Sequence, residues 1–357
     1  MKTSRQAGFT LVELLVSLAV TAVLILGVLA TFDLSSRVNR VQMSVADLQQ
    51  SMRVGQNEVV KMARMAGRGG LPGNQAVLLT NNVASGTKLV STLASSEVLE
   101  GTDIIRVRGV ITGSLYQIEY LDGNVFKAPN GTGDNGEVVV MDHAAGVPQD
   151  INNLLNVLTD AMDSTKNPAR KETLLLVTPF DTYFVATVDE VPAKESPFKG
   201  TYDGLRIKFK ANTANAGMGG VPPVSQTAVA YLGILEEYAY YVRKDVTGNS
   251  PKLARARLIP GMGTVYGPDT NVTLDIADNI MDLQAVSTFV TPGLGLPDLR
   301  ITTLARSDRR DPGKYLGPLL PATLEDHAYS TAHAYNSDSQ RRYRWRVVRS
   351  NVDMRNL

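Results

Sequence analysis

Apolar positions along the chain fall into three regimes. From residue 9 to 32 they are almost continuous, and Glu13 is the only ionisable side chain among them. A helix needs about 20 such residues to cross the hydrocarbon of a bilayer. Beyond this run the apolar positions narrow to a stripe. Val38, Val41, Val45, Leu48, Met52, Gly55, Val59, Met62 and Ala66 recur three and four apart, which is the period of one helix face. Arg37, Arg40, Asp47, Arg53 and Lys61 take the other faces. No proline interrupts residues 9–71, so both regimes read as one helix over 9–66, roughly 90 Å long at 1.5 Å per residue. A stripe of this kind can be a coiled-coil seam, but it more commonly packs on a sheet of its own domain, and that is the expectation here. Gly67, Gly69, Gly70, Pro72 and Gly73 then end the helix, because glycine accepts the left-handed cap and proline cannot continue the ladder.

Past Pro72 the pattern becomes short β-type runs between turn residues. Strands are predicted at 103–111, 115–121, 138–141, 174–177, 183–188 and 205–210, with turns at Thr112-Gly113-Ser114 and Asp122-Gly123-Asn124. In the last of these runs Leu205, Ile207 and Phe209 alternate with Arg206, Lys208 and Lys210, the signature of a half-buried antiparallel strand. Ile151, Leu154, Leu155 and Leu158 predict a short helix over 150–163. Residues 214–223 and 308–326, rich in glycine or proline, read as surface loops. Further strands are expected at 231–244, 252–259, 299–305 and 343–348. Ile276, Ile280 and Leu283 recur at helical spacing behind Asp275, which predicts a capped helix there.

Composition narrows the chemistry. Lysine and arginine total 36 against 35 acidic residues, so no global field recruits nucleic acid, and partners must be chosen by local patches. The absence of cysteine excludes disulfides, thiolate metal sites and a cysteine nucleophile. No catalytic motif is present, and the chain does not read as an enzyme. His143, His327 and His333 read as solvated loop histidines, since the six-residue interval between the last two fits neither one helix face nor a ligand pair. Asn130-Gly131-Thr132-Gly133-Asp134-Asn135-Gly136-Glu137 offers oxygen ligands at short spacing, as calcium loops do, although it lacks their full alternating acidic pattern and suits a hairpin end equally. No other cofactor is suggested. Near the C-terminus, Arg342, Arg344 and Arg346 alternate with Tyr343, Trp345 and Val347. As a strand this gives an inward apolar face and an outward basic face, suited to an acidic neighbouring subunit or, as the weaker alternative, to single-stranded DNA.

The flanks of the apolar run set its direction. Lys2 and Arg5 precede it and keep that end cytoplasmic. A cleavable secretory signal places its small residues after the apolar region, whereas Ala7 and Gly8 come before it. The stretch Ala7-Gly8-Phe9-Thr10-Leu11-Val12-Glu13 resembles the processing site of type IV prepilins and of secretion-system pseudopilins. The resemblance implies cleavage between Gly8 and Phe9 by a prepilin peptidase, with methylation of the new Phe9 amine. It also gives Glu13 a role, pairing with the N-terminal amine of a neighbouring subunit. Nothing nearby in the sequence offers this carboxylate a partner, and a buried charge left alone is costly.

A second resemblance lies in the last third. Tyr238-Ala239-Tyr240-Tyr241-Val242-Arg243, Leu253-Ala254-Arg255, the stretch from Asp275 to Gln284 and the ending Arg355-Asn356-Leu357 are similar to the tail of PilW-type minor pilins. Together the two resemblances imply an α+β, pilin-like fold. A leader (1–8) is followed by a long helix (9–66, with 9–32 in the membrane) and a large, mainly antiparallel exported domain (67–357). The implied protein is a minor pilin, first single-pass in the inner membrane with its domain in the periplasm, then part of an extracellular pilus. Its implied partners are other minor pilins, the major pilin, the prepilin peptidase and a large tip adhesin. A J-type minor pseudopilin of a type II secretion system is the nearest alternative, and an exported DNA- or calcium-binding pilin-like protein is the next.

Overall fold

The computed structural model describes residues 10–89, 97–118, 125–129, 135–144, 146–163, 171–179, 182–198, 202–211, 229–244, 250–261, 273–288, 298–311, 316–330 and 333–354. Helix α1 (Leu11–Arg64) is a single element of 54 residues. Its two halves have different surroundings. Side chains from Thr10 to Ser35 are all exposed, whereas Leu48, Met52, Gly55, Val59, Met62 and Ala63 are buried against the domain. The amphipathic stripe therefore packs on the chain's own sheets.

Two sheets form the bed under the buried half of α1. The first has five antiparallel strands in the order Val77–Thr80, Ile104–Gly109, Glu236–Arg243, Lys252–Leu258 and Thr273–Asp278. The second has three, Ile280–Thr288, Asp298–Arg306 and Trp345–Asp353. Val59 and Met62 of the helix share a core with Tyr240, Val242 and Leu253 of the first sheet and with Leu283, Ile301 and Val352 of the second. Polar contacts fix the register along the helix. Ser51 donates to the Asp278 carbonyl at 2.9 Å, Gln56 Nε2 donates to Ser350 Oγ at 2.8 Å, and Glu58 accepts from Arg255 at 2.7 Å.

A third, eight-stranded sheet runs Tyr116–Gln117, Tyr231–Ile234, Thr173–Val177, Tyr183–Val188, Tyr202–Ala211, Asn135–Met141 and Phe126–Lys127, with Ala193–Phe198 added to Tyr202–Ala211. It encloses a separate core with helix α2 (Ile151–Met162), whose Ile151, Leu154 and Leu158 are buried and whose cap is Asp150 accepting from the Asn153 N–H at 3.0 Å. The predicted helix over 150–163 is thus present. Near the junction of the first and third sheets, Arg108 Nε donates to Glu237 Oε2 at 2.7 Å with both side chains buried. Glu236 beside it accepts from the Thr112 N–H and hydroxyl.

The remaining sequence expectations divide clearly. The runs at 103–111, 138–141, 174–177, 183–188, 205–210, 252–259 and 299–305 all contain strands, while the turn at 122–124 and the loop at 214–223 lie outside the described residues. The capped helix around Ile276, Ile280 and Leu283 is not formed. These residues belong to two strands that meet at Asn279, which adopts a left-handed φ of 59° and passes the chain from one sheet to the other. A bulge between Ile280 and Asp282 shifts the inward positions by one, so strand residues acquire a four-then-three spacing that imitates a helix. The single strand expected over 231–244 is likewise divided. Leu235 separates Tyr231–Ile234, in the third sheet, from Glu236–Arg243, in the first.

Gly55 explains how α1 lies so close to its bed. A Cβ there would stand 2.9 Å from Leu253 Cδ2 and 3.1 Å from Ala277 Cβ. Gly55→Val is therefore expected to destabilise the domain by about 1–3 kcal/mol, the usual cost of overpacking. The urea midpoint of the detergent-solubilised chain should fall with an unchanged slope.

Candidate functional site

The exposed half of α1 is an apolar rod. Leu11 is 78% and Phe32 71% exposed, and a continuous apolar surface of this size calls for lipid or other apolar chains as its solvent. Its length and composition suffice to cross a membrane. The polar side chains within it are satisfied internally, as a medium without water requires. Ser17 donates to the Leu14 carbonyl at 2.9 Å, Thr21 to that of Ser17 at 2.7 Å and Thr31 to that of Gly27 at 2.9 Å.

Glu13 occupies the first turn. The Thr10 N–H and hydroxyl both donate to Glu13 Oε2 at 2.9 Å, and the Glu13 N–H donates back to Thr10 Oγ1 at 3.3 Å. This reciprocal arrangement is a capping box. It corrects the expectation that nothing nearby serves the carboxylate, and the Thr-x-x-Glu spacing was the overlooked signal. The box gives Glu13 Oε2 two donors without neutralising the carboxylate's charge. Among the described residues no cation pairs with it. Gly8 and Phe9 lie outside the described residues.

Residues 3–29 match the prokaryotic N-terminal methylation motif. The match supports a type IV pilin-like protein, and it is confined to the N-terminal end of the chain. No curated protein and no solved structure matches the chain.

The C-terminal arginines of this pilin-like chain do not form the continuous basic face that alternation predicts. Arg344 precedes the strand and is held by Asp311 at 2.8 Å. Arg342 and Arg346 are exposed. Val347, expected inward, is 37% exposed, because the face of Trp345–Asp353 that meets α1 carries Val348, Ser350 and Val352. Trp345 turns the other way, packing on Tyr335 at 5.3 Å between ring centroids and donating its indole N–H to the Gln340 carbonyl at 3.1 Å. Most of the glycine-rich stretch considered for calcium (130–134) lies outside the described residues, and 135–137 begin a strand. Among the described residues no three His, Asp or Glu side chains converge as a metal site.

Two histidines differ from expectation. His143 is partly exposed beside Asp142, much as a loop histidine would be. His327 is instead mostly buried, with Nδ1 2.9 Å from Asp282 Oδ2. The Tyr329 hydroxyl donates to the same oxygen, and Gln284 Nε2 donates to Asp282 Oδ1 at 2.8 Å and to the Gly101 carbonyl at 2.9 Å. His333 packs edge-on between Tyr329 and Tyr335, at 4.8 and 4.9 Å. The loop over 308–326 is thus partly ordered into a cover. Its Leu320 and Leu324 join Met281, Leu304 and Tyr329 on the face of the three-stranded sheet opposite α1. What makes this region a packed cluster is Asp282, buried in a strand some 45 residues earlier, a relation that local spacing does not encode.

Burial and charge tune the groups around this cluster. The hydrogen bond to Asp282 raises the His327 pKa, against the opposing effect of burial. Burial raises the Asp103 carboxyl to about 6, although it accepts the N–H groups of Asn82 and Ala285. Burial lowers the His333 pKa. A histidine whose folded pKa lies above its ordinary 6.5 stabilises the fold fully below that pH, and the contribution is lost as pH rises through the folded value. His327→Gln, which keeps a donor for Asp282, is therefore expected to lower the melting temperature most below pH 6.5. The deficit relative to the parent should shrink as the pH rises above 6.5 and His327 loses its proton, as thermal melts on either side of that pH will show.

Proposed function

We propose that the chain is a minor pilin of the PilW type, which assembles with other minor pilins to prime or cap a type IV pilus near its tip. The observation that carries this reading is the stem: an exposed apolar half-helix bearing one carboxylate, continuous with a half that is locked to a large domain. Cleavage between Gly8 and Phe9 places a new amine ahead of the Thr10–Glu13 box. In a bundle of such stems, the amine of one subunit supplies the positive charge that Glu13 lacks in isolation, and that pairing sets the stagger between neighbours.

Two further observations support the finer assignment. The segments that are similar to PilW-type tails, around Tyr238–Arg243, Leu253–Arg255 and 275–284, build the two sheets beneath α1. The intervening residues, which resemble nothing named, furnish most of the eight-stranded sheet set apart from the stem. A bulky extra lobe of this sort suits a subunit present in few copies, since it would crowd a repeating shaft. The chain's role is structural, with the membrane as its first environment and the fibre as its second.

Fibres sheared from cells should yield a peptide that begins at an N-methylated Phe9 in mass spectrometry. Recovery only of protein that begins at Met1, and only from membranes, would remove the proposal. Glu13→Ala should leave cleavage intact while incorporation drops on the order of 100-fold, the scale on which a buried charge deprived of its partner acts. Quantitative immunoblotting of the sheared and membrane fractions measures this, and normal incorporation would refute the pairing.

A further inference from the structure

The domain first meets the stem at a basic groove. Upstream of it, every described stem side chain through Ser35 is exposed. Arg40, Val41 and Ser44 of α1 then face Ser307, Arg309, Arg310, Asp311 and Arg344 across a groove of about 130 Å³. Arg344 is neutralised there by Asp311. Arg309 projects outward, its side chain 83% exposed and only loosely paired, at 3.9 Å, with an exposed Asp308. Arg310 is exposed but oriented, since its Nε–H donates to the Tyr343 hydroxyl at 3.2 Å and its guanidinium lies 5.4 Å from that ring's centroid. Arg40 is exposed on the helix, its Nε–H donating to the Ser36 carbonyl.

The position of this groove is fixed by the helix. Arg40 lies eight residues beyond Phe32, roughly 12 Å further along the axis. Headgroup layers extend about 5–7 Å beyond each side of the hydrocarbon, and long arginine side chains extend their charge further along an apolar stem. Between Phe32 and Arg40 the only charges, Asp33 and Arg37, pair with each other at 2.7 Å, so the intervening turns carry no net charge. Among the described residues next along on the domain side, Arg40, Arg309 and Arg310 are grouped and outnumber the carboxylates beside them, Asp308, loosely paired with Arg309, and Asp47, which lines the adjoining cleft.

We infer that Arg40, Arg309 and Arg310 form a docking surface for the anionic phosphates of lipid headgroups in the leaflet from which the stem emerges, seating the domain on the membrane before assembly. The inference rests on the reading of residues 9–32 as a membrane span. The occupant follows from sign and place: Arg40 leaves the helix roughly 5–7 Å beyond the headgroup layer, so its long side chain and the two arginines grouped with it face a layer of phosphate within the Debye length of about 8–10 Å at moderate salt. Seating also gives the subunit a preferred orientation while it waits for partners, and it must be given up when the stem leaves the bilayer.

The test uses the full-length chain in nanodiscs of phosphatidylcholine alone or with phosphatidylglycerol at three parts in ten, read by hydrogen–deuterium exchange. Peptides covering 307–311 should exchange about fivefold more slowly, or slower still, in the anionic discs, the scale of one basic residue at an anionic surface. The slowing should vanish in 0.5 M salt and in the combined variant Arg40→Gln, Arg309→Gln, Arg310→Gln. Equal exchange in the two lipids overturns the proposal. So does protection produced by inorganic phosphate in phosphatidylcholine discs, or protection there that depends on chain concentration, which would assign the arginines to a free anion or to another subunit. Protection of peptides from 11–32 in both discs reports insertion independently. Its absence would refute the membrane span itself, a result distinct from failure of the arginines to dock.

Discussion

The structure depends on one close approach, that of the lower-polarity face of α1 to two sheets at once. A helix packed on a single sheet can slide or rock along its groove. Here Gly55 brings the backbone against Leu253 and Ala277, and Gln56 reaches Ser350 on the neighbouring sheet. The helix is thereby held at two edges rather than along one line. Backbone contacts close its upper end, where the Gly67 N–H donates to the Arg108 carbonyl and the Val110 N–H to that of Arg68. Gly109 permits this, since a Cβ there would lie 3.1 Å from the Met65 carbonyl oxygen. The stem and the domain are consequently one mechanical piece, and whatever acts on the apolar half is felt by the sheets.

What could be read from the sequence follows from which interactions are local. The stem was legible because both of its signals, an unbroken apolar run and a stripe at helical spacing, are properties of consecutive residues. Most strands were legible for the same reason, as Leu205, Ile207 and Phe209 illustrate. The failures share a different cause. At Asn279 and Leu235 the chain leaves one sheet and enters another, and neither crossing contains a proline or a run of glycines to mark it. The spacing of Ile276, Ile280 and Leu283 imitates a helix only because a bulge intervenes, and nothing short of the partner strand reveals a bulge.

The candidate site shows the same division in finer grain. Thr10 and Glu13 are three residues apart, so the box they form was available to a closer reading. The Asp282 cluster was not, because His327 and Tyr329 reach it from a segment some 45 residues further along the chain. Arg344 was expected to share a face with Arg342 and Arg346, but the turn before the strand delivers it to Asp311 instead. Charged side chains respond to whichever opposite charge the tertiary fold brings near, and alternation alone cannot name that charge.

The capping box at the tip of the stem has one more implication. A carboxylate that already holds two donors is not starved while it is solitary, so on the proposed pilin reading joining a bundle would exchange hydrogen-bond partners for a charge-neutral pair rather than rescue an orphan. The same exchange runs backwards. On that reading, a subunit withdrawn from the fibre would find Thr10 still in place to receive its glutamate, which would lower the penalty of re-entering lipid and suit the molecule to repeated use.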